Sequence, residues 1–118
     1  MAYQSLEDLD VWKRACRLAV EVVRAFSKSK DRVFKDQMTR AVISVPSNIA
    51  EGYNRNSTRD YLRFLWIARG SLAELDTQMM LSADLELTPR HVVEPIISEA
   101  GHIERMLYSL IRSLEKRL

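Results

Sequence analysis

A proline sits inside an otherwise unbroken helical pattern. Phe34, Met38, Val42, Val45 and Ile49 recur at steps of four, four, three and four residues, one face of an α-helix. Pro46 falls within that run, where its ring clashes with a carbonyl and one backbone hydrogen bond is lost, at a cost of about 3 kcal/mol. The spacing therefore predicts a helix that continues through Pro46, bends there and ends at Gly52. Arg40, Ser44, Ser47, Asn48 and Glu51 share the opposite side, a polar stripe with few long, solvating side chains. Such a stripe is either one side of a kinked surface helix or a surface packed against something and partly buried.

Three further helices follow from the same kind of spacing, and together the four cover about 9–28, 32–52, 58–83 and 89–117. Leu9, Trp12, Cys16, Ala19, Val23 and Phe26 form a seam on the first helix, as in a bundle. A second apolar stripe, Val11, Ala15, Leu18, Val22 and Ala25, runs beside it, which predicts contact with more than one neighbour. Tyr61, Leu65, Ala68, Leu72, Leu75 and Met79 line the third helix, capped by Ser57 or Thr58. Val93, Ile96, Ala100, Ile103, Leu107, Leu110 and Leu114 line the fourth, with Thr88 as its cap and Pro89 in its first position.

Short connections make successive helices antiparallel neighbours, so the predicted fold is all-α: an antiparallel up-down-up-down four-helix bundle. Folding about the loops places Gly70 opposite Gly101, where two backbones could approach closely. It also brings Arg40 within reach of Glu74, and Glu51 near Arg59 or Arg63. On this reading the polar stripe of the second helix braces the bundle and is not a ligand site, since buried polar groups require partners.

A resemblance accompanies the pattern. Ser44-Val45-Pro46-Ser47-Asn48-Ile49-Ala50-Glu51-Gly52 and Arg63 to Leu75 (RFLWIARGSLAEL) resemble the four-helix bundle proteins of the 23S rRNA intervening-sequence family. Leu9 to Lys13 and Arg105 to Leu107 extend the similarity in weaker form. The resemblance implies a small bacterial bundle protein, some relatives being encoded inside insertions in 23S rRNA genes. It also implies similarity to the pentameric accessory proteins of diversity-generating retroelements, hence a homopentamer.

Composition limits the chemistry. The 118 residues suffice for one domain. The longest uncharged run, Ala41 to Ala50, is ten residues, short of the roughly 20 that a membrane span needs. Glu7, Asp8 and Asp10 interrupt any secretory signal, and the lone Cys16 suits a reducing cytoplasm. His91 and His102 lie in no nucleophile or zinc arrangement. Glu99 and His102 match one Glu-x-x-His element, whereas a di-iron bundle needs two and two further glutamates. No phosphate loop is present. The expectation is a protein without enzymatic activity, metal, cofactor or small-molecule substrate.

Charge is uneven despite a net of +2. Residues 13–40 hold nine Lys and Arg against three Asp and Glu, a net of +6; residues 70–104 hold one Arg against seven acids, a net of −6. Two functions fit. One is a nucleic-acid-associated scaffold that holds RNA or DNA electrostatically through Arg14, Arg17, Arg24, Lys28, Arg55 and Arg59. The other is a protein-interaction module whose charges only organise self-assembly. Either way Val11, Leu18, Val22, Phe64, Trp66 and Met80 are surplus apolar surface, and so candidates for an interface between copies.

Overall fold

The computed structural model describes residues 5–118. A single 3-10 turn, Leu6–Asp8, leads into α1 (Asp10–Phe26), α2 (Arg32–Tyr53), α3 (Thr58–Asp84) and α4 (Arg90–Glu115). Each helix packs on the next, and α1 also meets α4, closing the ring. Gly52 on α2 meets Tyr61 and Phe64 near the start of α3, while Ser44 meets Ser71 further along. Numbers that fall on one helix rise on the other, so α2 and α3 are antiparallel. Asp84 with Arg90, and Arg69 with Glu104, show the same for α3 and α4.

Helix starts follow their caps. Asp31 accepts from the Phe34 amide at 3.1 Å, and Ser57 from the Asp60 amide at 3.1 Å, each satisfying an amide that no helical carbonyl can reach. Thr88 is not the cap of α4. Its hydroxyl is shared with Ser82 and its amide reaches the Ser82 carbonyl, which closes the end of α3, and Pro89 takes the cap position. Glu86, with φ of 60°, makes the left-handed turn between the two helices.

The helix does continue through Pro46, which is buried with Met38, Val42, Val45 and Ile49. Gly52 belongs to α2 and does not stop it; the helix ends after Tyr53. A Cβ at Gly52 would lie 2.9 Å from the Phe64 Cβ and 3.1 Å from the Tyr61 carbonyl oxygen. Here, then, is the close helix approach, and not at Gly70 and Gly101. Among the described residues, a Cβ at Gly70 would meet no neighbouring element within 4 Å, and at Gly101 only the Arg105 side chain at 3.7 Å. The reason is rotational: Ala68, Ser71 and Leu72 face inward, which turns residue 70 out.

α1 chooses between its two stripes. Val11, Ala15, Leu18 and Val22 of the second stripe are in the core while Ala25 is exposed; of the first, Leu9 and Phe26 are buried at the two ends, and Trp12, Ala19 and Val23 between them only pack against the edge. Three branched aliphatics fill the centre, and full burial of Trp12 would leave its indole N–H needing a partner. Val11, Leu18 and Val22 are at most 4% exposed, so they hold the protomer together and are unavailable to another copy.

The polar stripe of α2 divides in two. Ser44 and Asn48 turn toward α3: Asn48 Nδ2 donates to the Ser44 carbonyl (2.8 Å) and hydroxyl (2.9 Å), and Ser44 and Ser71 hydroxyls lie 2.7 Å apart. Ser71 in turn donates to the Ile67 carbonyl at 3.2 Å, so the Ser44 proton points at Ser71 and the chain is satisfied throughout. Arg40, Ser47 and Glu51 face solvent instead. Glu51 pairs with Arg55 at 2.9 Å, one turn on, and not with Arg59 or Arg63. No ion pair joins Arg40 to Glu74 among the described residues; both are exposed.

Candidate nucleic-acid interface

The six cations expected to face an anionic partner separate into committed and free. Arg14 is committed. Its Nη2 and Nε donate to the two carboxylate oxygens of Glu99 on α4 at 2.7 and 2.9 Å, a fork that ties α1 to α4. That hydrogen bonding, more than charge alone, holds the Glu99 carboxyl below its usual range and raises the Arg14 guanidinium. Arg55 is also engaged, by Glu51 and by the Phe64 ring 4.7 Å away. Arg63 stacks on the same ring at 4.5 Å, which leaves Phe64 half-buried between two guanidinium groups.

Arg17, Arg24, Lys28 and Arg59 are exposed, and no ion pair reaches them among the described residues. The first three follow one another at steps of seven and four along α1 and just past its end, a stripe about 16 Å long at 1.5 Å per residue. Lys30 and Arg32, also exposed and free of ion pairs among the described residues, continue it around the α1–α2 turn. Reading helix faces alone misses these two; the charge excess over residues 13–40 is the signal that contains them. Lys35 does not join them freely, because its Nζ donates to the Ser27 carbonyl at 2.9 Å and closes the end of α1. At the start of α3 the Asp60 amide is taken by Ser57.

The remaining interface candidates, Trp66 and Met80, are 42% and 56% exposed on α3. Arg69 lies over Trp66 (5.2 Å) and Tyr108 (5.1 Å) while it pairs with Glu104 at 2.7 Å.

The histidines, Glu99 and Cys16 do not converge on one site among the described residues. His91 and His102 are exposed, Glu99 is occupied by Arg14, and burial pushes the half-buried Cys16 thiol up. No group of three or more His, Cys, Asp or Glu among the described residues could hold a metal ion. Nor is any described helix long and apolar enough to cross a membrane.

Fold and surface define an all-α four-helix bundle with a basic stripe on its first helix. The chain belongs to the 23S rRNA-intervening sequence protein family, whose model matches residues 7–109. It is similar to a Bacteroides thetaiotaomicron protein of unknown function from the S23 ribosomal protein family, known from a crystal structure. The two are 26% identical with a TM-score of 0.81, over 86% of this chain and 97% of that one. No curated protein matches the chain.

Proposed function

We propose that the protein is a non-enzymatic cytoplasmic scaffold that assembles into a ring of identical copies, a pentamer on the family resemblance, and holds structured RNA by its phosphate backbone. The observation that carries this reading is the stripe Arg17, Arg24 and Lys28, with Lys30 and Arg32 beyond it: exposed cations without carboxylate partners among the described residues. Exposed cations attract phosphate by releasing its counterions, without reading sequence. One stripe binds weakly; repetition around a rigid ring multiplies affinity by roughly 10² to 10⁴.

The test is retention of structured rRNA fragments over a salt series, beside light scattering. The wild type should have a mass several times 13.7 kDa and lose RNA steeply as salt rises. Arg17→Glu, Arg24→Glu and Lys28→Glu together should abolish retention at unchanged oligomer mass. An intact oligomer that retains no RNA or DNA at low salt would leave the protein-interaction reading, favoured by the exposed Trp66 and Met80.

A further inference from the structure

The outer side of α3 has acceptors without donors. A groove of about 400 Å³ runs between α3 and α4, lined by Trp66, Gly70, Ala73, Asp76 and the Arg69–Glu104 pair. A second dip of about 320 Å³ shares Gly70 and Ala73 and reaches Gln78. Asp76 Oδ1 and Gln78 Oε1, one on each side, are buried and meet no donor among the described residues. Burial, and then the nearby Glu104 charge, raise the Asp76 carboxyl above its usual range, the mark of a carboxylate that has lost water without gaining a counterion. Between the two dips Gly70 presents bare backbone with open space in front of it. A glycine in a helix interior costs about 1 kcal/mol relative to alanine, and no close approach by another described element offsets this.

On α2 the opposite holds. Arg40, Ile43 and Ser47, at steps of three and four, form one outward stripe that the fold leaves uncovered. Ile43 is 46% exposed, and Arg40 has no ion pair among the described residues. The stripe thus offers an apolar side chain, a small one and a cation without an acceptor. α2 contributes nothing to the α3–α4 groove, so one protomer can use both surfaces at once.

We infer that the groove beside Gly70 receives the Arg40–Ile43–Ser47 stripe of a second copy of this chain, head to tail. The occupant is a second copy because the two surfaces are complementary in charge: a half-buried carboxylate without a cation, and an exposed cation without a carboxylate, among the described residues. The contact joins unlike faces, so it propagates into a ring when the rotation closes. The groove is incomplete without the neighbour, whose guanidinium supplies the donor that Asp76 lacks. The inference rests on the ring assembly proposed above and names its joint.

Two blocked variants test it. Ala73→Arg fills the groove and offers Asp76 a cation from its own chain, but leaves the α2 stripe intact. Ile43→Glu ruins the stripe but leaves the groove. Both positions are exposed, so each protomer should keep its helicity by circular dichroism; Gly70→Arg and Ser47→Glu form a second pair should either variant unfold. Each variant alone should sediment near 13.7 kDa, and an equimolar mixture should yield a 1:1 dimer of twice that mass, with one intact joint and no ring. Retention of the wild-type mass by either folded variant would overturn the assigned surfaces. Two monomeric variants that stay apart when mixed would overturn the head-to-tail pairing. A monomeric wild type would instead remove the assembly reading itself.

Discussion

Gly52 and Gly70 lie on opposite sides of α3 and do opposite things. At Gly52 the helix backbone of α2 presses against Tyr61 and Phe64, with no room for a methyl group. At Gly70 no other described residue beyond its own helix turn lies within 4 Å of where a Cβ would be. The same contrast holds for polar groups. On the α2 side Asn48, Ser44 and Ser71 form a hydrogen-bonded chain in which each donor finds an acceptor. On the outer side Asp76 and Gln78 keep buried oxygens that meet no donor among the described residues. An interior face shows its finished chemistry within one chain; the outer face, where a joint between copies is proposed, shows gaps. A glycine alone does not reveal which kind it is.

The sharpest way to break this contrast is Gly52→Ala. The added methyl would sit 2.9 Å from Phe64 Cβ and 3.1 Å from the Tyr61 carbonyl, so α2 and α3 must separate. Overpacking of this kind costs about 1–3 kcal/mol, against a helix-propensity gain of up to about 1. The unfolding midpoint in urea should fall. A midpoint unchanged or raised would mean that the seam has slack.

Ser71→Ala comes next. It leaves the Ser44 hydroxyl, 2.7 Å away in the wild type, without its acceptor, at about 1–2 kcal/mol. Ser44→Ala in addition should recover part of the loss, because the stranded donor goes with it; a double-mutant cycle measures the coupling.

Gly70→Ala should act in the other direction, and by less. With open space at the site, the protomer gains up to about 1 kcal/mol from helix propensity. Measured in the Ile43→Glu background, the gain reports the protomer alone. A loss there would show that α3 needs its glycine internally.

The two perturbed carboxylates give the smallest effects, with opposite signs. Glu99 is held below its ordinary value of 4.5 chiefly by hydrogen bonds from Arg14. Its contribution is present in full above the unfolded value and is lost as pH falls below about 4.5 through the folded one. Glu99→Gln should flatten that acid limb of the stability profile. Asp76 is raised above 3.8 by burial first and by Glu104 second, so the folded protomer takes up its proton more readily than the unfolded chain. Ionised Asp76 therefore disfavours folding above its folded-state value, and acidification relieves the cost. Asp76→Asn should stabilise the Ile43→Glu protomer at neutral pH, read by its thermal midpoint. If the wild type assembles as proposed, the same change should show no such gain there.

Periodicity carried most of the architecture. Helix number, the starts at Asp31 and Ser57, and most of the buried rows of α3 and α4 follow from repeats of three and four residues with capping side chains; the exceptions are Tyr61 and Leu110, which are partly buried while Leu62 and Ile111 enter the core beside them. Continuation through Pro46 was equally legible, because apolar spacing integrates many burial contributions and outweighs one local penalty. The candidate site was less so. Arg17, Arg24, Lys28 and Arg59 are exposed as expected, but Arg14 is bound to a carboxylate 85 residues away. Which of two apolar stripes on α1 is core, and which of three glycines is pressed by a neighbour, also lie beyond one-dimensional spacing. A helix repeat states which residues share a face. It does not state how far that face is rotated toward its neighbours, and a rotation of one residue, about 100°, exchanges the inside for the outside. Local periodicity and caps therefore determined the helices by themselves. The tertiary packing of α1 on α4 and α2 on α3 decided which charges are free, which glycine is pressed by a neighbour and which buried oxygens lack a donor among the described residues.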